Sequence, residues 1–117
     1  MDVRELVRSI LDGDLLAARE WVSEAHRSRL AWADVDQPQG LSEREMSVAA
    51  AILELLSERS GAEPPPWTAT VGAMYEPVIL DPGLENMPRS FERAKSYGPD
   101  PLRKRNLVAL PDFLDVA

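Results

Sequence analysis

The chain has 117 residues, no cysteine, a single histidine (His26) and a formal net charge of −7. At that length one domain with a core of its own is expected, and the lack of cysteine excludes disulfides and thiolate metal sites and fits a reducing, cytoplasmic setting. Carboxylates outnumber cations in both halves, 12 against 7 in residues 1–60 and 8 against 6 in residues 61–117, a balance that disfavours nucleic acid and anionic lipid as partners.

No apolar run is long enough to span a bilayer, and the charged opening Met1-Asp2-Val3-Arg4-Glu5 has no secretory h-region. Asp2 can cap a first helix whose apolar residues Val3, Leu6, Val7, Ile10 and Leu11 recur at helical spacing. Gly13 suits the left-handed residue that ends it. Asp14 caps a second helix with Leu15, Ala18, Trp21, Val22 and Ala25 on one stripe, and the short Asp12-Gly13-Asp14 link predicts a hairpin. Residues 33–40, rich in Asp, Gln, Pro and Gly, read as a loop.

The strongest helix signal spans residues 42–60. Ser42 and Glu45 have capping-box spacing, and Leu41 is placed to staple onto Met46. Apolar residues occupy most of the circumference and leave only Ser47, Ala51, Glu54 and Glu58 as a narrow, mostly polar strip. Such a helix must be covered on several sides, so it is expected to be the central one.

Beyond Gly61 the composition changes, with eight of the ten prolines between residues 64 and 101. Long helices cannot form where prolines are that dense. Pro64-Pro65-Pro66 predicts a stiff turn leading into Trp67, with one or two helical turns over residues 68–74. The run Val78-Ile79-Leu80 is compatible with a strand or with irregular chain. Pro88 opens a helix predicted to reach Tyr97, with Phe91 and Ala94 inward and Gly98 at its end, and Asp100-Pro101 announces a short helix beginning at Leu102. Phe113, Leu114 and Val116 are expected to dock the tail onto the domain.

The glutamate pairs Glu20/Glu24 and Glu54/Glu58 lack the histidines of a di-metal bundle and read as solvated acidic faces. No phosphate loop or nucleophile elbow is present, and His26 at the end of the second helix suits that helix's dipole. Accordingly no catalytic residue, metal or cofactor is expected. Trp32 and Trp67 flank loops and either belong to the core or line a groove for a partner. Arg103-Lys104-Arg105-Asn106 stands out in an acidic chain: in the first turn of a helix, three cations oppose its dipole. Two readings stay open, pairing with the protein's own acidic helices or recognition of a partner bearing carboxylate or phosphate.

Pro64-Pro65-Pro66-Trp67, Glu76-Pro77, the stretch from Pro99 to Asn106 and Asp112-Phe113-Leu114 together resemble a loose group of small, uncharacterised bacterial helical proteins. In these a leucine- and alanine-rich helix precedes a P-x-W segment and an Arg-rich R-R-N stretch. Some members resemble the antitoxin partners of toxin–antitoxin loci, and some carry a helix-turn-helix in front. The resemblance covers about residues 40–117 and implies partner binding. The first hairpin here is short and acidic, so no repressor role is expected.

The expected fold is thus all-α or mainly α: one helical bundle over residues 1–117, with the central helix at 42–60 and a proline-rich irregular half wrapped around it. The expected function is a non-catalytic, antitoxin-like protein-interaction domain contacting its partner through Arg103, Lys104, Arg105, Asn106, Trp67 and Trp32. The alternative is a small enzyme or ligand-binding domain with a pocket between the central helix and Trp67. Self-association is left open.

Overall fold

The computed structural model describes residues 1–116. The fold is mainly α, with five α-helices and one two-stranded sheet among the described residues. Helix α1 (Val3–Leu11) and helix α2 (Leu15–Arg27) form the predicted hairpin. Asp2 accepts from the Arg4 amide at 2.9 Å and Asp14 from the Ala17 amide at 3.1 Å, so each helix start has its side-chain cap. The turn between them passes through Gly13 at φ 77°. Val3, Leu6, Val7 and Ile10 of α1 are buried with Ala18, Trp21, Val22 and Ala25 of α2.

Helix α3 (Glu43–Arg59) is the central element. Its capping box is complete: the Glu45 amide donates to Ser42 Oγ at 3.1 Å, and the Ser42 amide to Glu45 Oε1 at 2.9 Å. Ten of its seventeen residues are buried, including every position from Ser47 to Leu53. The polar strip is covered as far as Glu54, and only Glu58 at its end is exposed. Ser47 Oγ donates to the Gly72 carbonyl at 3.2 Å, Ala51 is fully buried, and the side chain of Glu54 keeps only 10% of its exposure. Glu54 therefore does not lie on a solvated acidic face: the strip is the seam along which the second half of the chain is fastened.

That half is irregular for the reason its prolines give. Gly61 at φ 67° ends α3, and Pro66–Thr70 forms a 3-10 turn instead of a longer helix. Val78–Ile79 is a strand, β1, paired in parallel with β2 (Leu107–Val108) in the register Val78 to Leu107 and Ile79 to Val108. Parallel strands need a crossover. Here it contains helix α4 (Pro88–Tyr97), with the predicted bounds, and the single turn α5 (Asp100–Arg103).

Gly98, between α4 and α5, has an ordinary φ of −62°. Its need is for space. A Cβ there would lie 2.5 Å from the Ala94 carbonyl oxygen and 2.6 Å from that of Ala109, so α4 and the chain after β2 meet across it. Ala94 is buried with Leu84 and Val108 in a small second core, against which Phe91 packs. The tail docks as expected: Phe113 and Leu114 are buried, and Arg59 donates to the Phe113 carbonyl at 2.6 Å and the Pro111 carbonyl at 3.2 Å.

Candidate functional site: a buried arginine and the loop it holds

The predicted cation cluster does not sit in the first turn of a helix. Pro101 fits within the first turn of α5, because its missing N–H has no helical acceptor there. The helix consequently starts at Asp100 and ends at Arg103, and Lys104 and Arg105 follow its C-terminal end, where cations suit the backbone carbonyls. Asn106 takes a left-handed φ of 63°, a conformation asparagine tolerates better than most residues, and redirects the chain into β2.

The three cations have separate fates. Arg103 pairs with Asp100 of its own turn and donates to the Ser96 carbonyl at 2.8 Å. Lys104 is largely exposed and reaches Glu54 Oε1 at 2.8 Å. Arg105 is only 2% exposed. Its two terminal nitrogens each meet one oxygen of Glu54 at 2.8 Å. The same guanidinium donates to the carbonyls of Thr68 (2.8 Å), Pro101 (3.1 Å) and Val71 (3.3 Å). Those five bonds match the five donors of an arginine. Burial alone pushes the Glu54 carboxyl up, but hydrogen bonds from Arg105, Lys104 and Thr68 outweigh it and lower it to about 2.

The grip on Thr68 and Val71 continues along the following loop. The Met74 amide donates to the Arg105 carbonyl at 3.0 Å, and Asn106 Nδ2 donates to the carbonyls of Met74 (3.2 Å) and Tyr75 (3.3 Å). The Val78 amide closes the series on the Asn106 carbonyl at 3.0 Å. Residues 71–78 are thus fixed by their backbone to residues 105–106 and, through Gly72, to Ser47 of α3. At the tip the Tyr75 side chain touches almost nothing and is 97% exposed.

The tryptophans lie elsewhere. The Trp67 indole donates to the Val35 carbonyl at 2.9 Å and packs half-buried against the main core. Trp32 is 5% exposed, tilted against Trp21 at 6.5 Å and edge-on to His26 at 6.4 Å. It contributes an edge to a groove of about 400 Å³ between the ends of α2 and α3, beside His26 and Arg29. A second groove, of about 460 Å³, runs between α3 and α5 past Glu54, Glu58, Asp100 and Lys104, and Trp67 does not line it.

Of the sequence-predicted residues, Arg105 holds the turn that carries Trp67 and Asn106 the loop after it, whereas Arg103 and Lys104 pair elsewhere and Trp32 is apart from all of them. Sequence reasoning missed Ser47, Glu54 and Tyr75. Glu54 had a signal, being the only charge in the run from Ser47 to Ser57. Compared with protein-family models, curated proteins and solved structures, the chain matches none.

Proposed function

We propose that the protein is a non-catalytic protein-interaction domain of the antitoxin-like kind, which meets its partner in the cytoplasm through the loop at residues 71–77. The observation that carries this reading is Tyr75. An aromatic ring exposed to 97% costs hydration, and it stands on a backbone fixed by Arg105, Asn106 and Ser47. A tyrosine presented on ordered backbone loses little conformational entropy when a partner covers it, and such residues dominate binding energy at interfaces. The fragments resembling antitoxin-like proteins, Glu76-Pro77 and the stretch through Asn106, fall in this loop and its support.

On this reading Arg105 and Asn106 act behind the surface. Their role is to hold the loop in a binding-ready form, not to touch the partner. The groove beside Glu54 and Lys104 favours chemistry less, because these two groups are already committed to each other and to Arg105.

The test is quantitative affinity capture from extracts of the source cells, using the whole chain and Tyr75→Ala as baits. The expected result is a partner retained in stoichiometric amount by the parent and lost by Tyr75→Ala, with the two baits melting alike. A partner held equally by both would remove Tyr75 from the interface, and a bait that captures no protein would remove the reading.

A further inference from the structure

The six cations of the second half all fall between Arg89 and Arg105, where only Glu92 and Asp100 oppose them. The rest of the chain carries seven cations against eighteen carboxylates. The positive segment folds as α4, α5 and the turn into β2. Arg105 and Lys104 are taken up by Glu54, Arg89 and Arg93 lie one turn apart on one side of α4, and Lys95 lies on another side of that helix. Arg89, Arg93 and Lys95 are exposed, and none has a carboxylate within 4 Å among the described residues. Lys95 Nζ instead rests 5.4 Å from the centre of the Phe91 ring. Between Lys95 and Arg103 opens a cleft of about 100 Å³ lined by Pro77, Asn106, Leu107 and Val108. Asn106 is also the residue that holds the Tyr75 carbonyl, so the cleft adjoins the Tyr75 loop.

We infer that the cleft between Lys95 and Arg103, together with the exposed Arg89 and Arg93 of the same helix, receives an acidic segment of the partner, a run of Asp or Glu carrying an aliphatic side chain. The inference rests on the interaction reading above and adds the partner's chemistry to it. An acidic chain meets an excess of carboxylates over most of the sequence and an excess of cations over residues 89–105, and the cleft of that segment adjoins the Tyr75 loop. The cations supply the rim, and Leu107, Val108 and Pro77 give the apolar floor that an aliphatic side chain would cover.

The experiment titrates the full chain with a fluorescein-labelled Glu/Asp peptide bearing one leucine, at low salt. A Lys/Arg peptide of equal length and a single-stranded oligonucleotide serve as comparison probes. The acidic peptide should bind most tightly and lose affinity as salt is added. Arg89→Glu with Arg93→Glu and Lys95→Glu should weaken it by about tenfold or more, the combined loss of three exposed ion pairs. The triple Arg8→Glu, Arg27→Glu and Arg44→Glu changes net charge equally on the other half of the chain and should leave it nearly unchanged.

If the charge-reversed α4 melts lower than the parent, the Gln versions of the same three residues replace it. Equal loss from both triple variants would reduce the effect to net charge and overturn the inference, as would tighter binding of the oligonucleotide or of the basic peptide. Should the acidic peptide fail while partner capture still depends on Tyr75, the interaction reading stands and only the acidic-segment inference falls.

Discussion

The carboxylate of Glu54 and the guanidinium of Arg105, 51 residues apart in the chain, face each other with two parallel bonds of 2.8 Å. One belongs to the central helix and the other to the turn that precedes β2, so the pair ties the regular half of the molecule to the irregular one. Breaking a buried pair from one side costs up to about 3–5 kcal/mol, and without Arg105 the carboxylate keeps only the exposed Lys104. Arg105→Met should lower the unfolding free energy by that amount in a denaturant titration. Arg105→Met combined with Glu54→Leu should recover a large part of the loss, since the stranded carboxylate is gone. Arg103→Gln, at an exposed pair within one turn, should change stability by less than about 1 kcal/mol.

The same pair sets a dependence on acid. Glu54 has an ordinary value of 4.5 and is held at about 2 in the folded protein. A depressed carboxyl stabilises the fold fully above its unfolded value and loses that contribution as pH falls through its folded value. The window is therefore from about pH 5 down to about pH 2. Asp81 works in the opposite sense: burial raises its carboxyl, against the hydrogen bond it accepts from the Leu110 amide, so acid relieves part of its cost. Unfolding titrations across this window should show the parent losing more stability than Glu54→Gln, and parallel curves for the two would contradict the assignment.

How far the fold was legible in the sequence follows the distance over which each element is specified. Asp2, Asp14 and the Ser42/Glu45 box act within one turn, and α1, α2 and α3 begin where those residues place them. Pro88 likewise fixed the start of α4. The pairing of Val78 with Leu107 depends on a partner on the far side of two helices, and three apolar residues in a row carry no alternation that would mark a strand. The cation cluster was visible, but its sense was not. With α5 starting two residues before Leu102, an apparent clash with the helix dipole became a favourable position, and Arg105 went inward to Glu54. Tyr75 left no trace in the pattern, because exposure is set by what fails to fold over a residue.

Gly98→Ala tests the contact between α4 and the strand edge. The added methyl would meet two backbone oxygens, of Ala94 and Ala109, at 2.5 and 2.6 Å, and neither can rotate away as a side chain would. Overpacking of this kind costs about 1–3 kcal/mol. The loss should appear as a lower melting temperature, with faster amide exchange at Leu80, whose N–H bonds the Val108 carbonyl beside the disturbed segment. A gain in stability, as expected for an unstrained glycine, would show that the two segments do not touch at Gly98.

The tail gives the last prediction. Phe113 and Leu114 are 2% and 1% exposed within the main core, and Arg59 at the end of α3 binds the carbonyls of Pro111 and Phe113. Each of the two side chains contributes roughly 1.5–3 kcal/mol if its burial is lost completely. A chain ending at Pro111 also leaves Arg59 with fewer carbonyls to bind, although this group can turn toward water at little cost. Hydrophobic burial is therefore the larger effect, and truncation should lower the melting temperature markedly and raise the binding of a hydrophobic dye. Arg59→Gln separates the two contributions: it keeps the apolar contacts, removes the guanidinium, and should cost only about 1 kcal/mol. A truncated chain that melts like the parent and binds no additional dye would mean that Phe113 and Leu114 are free in solution and available to a partner.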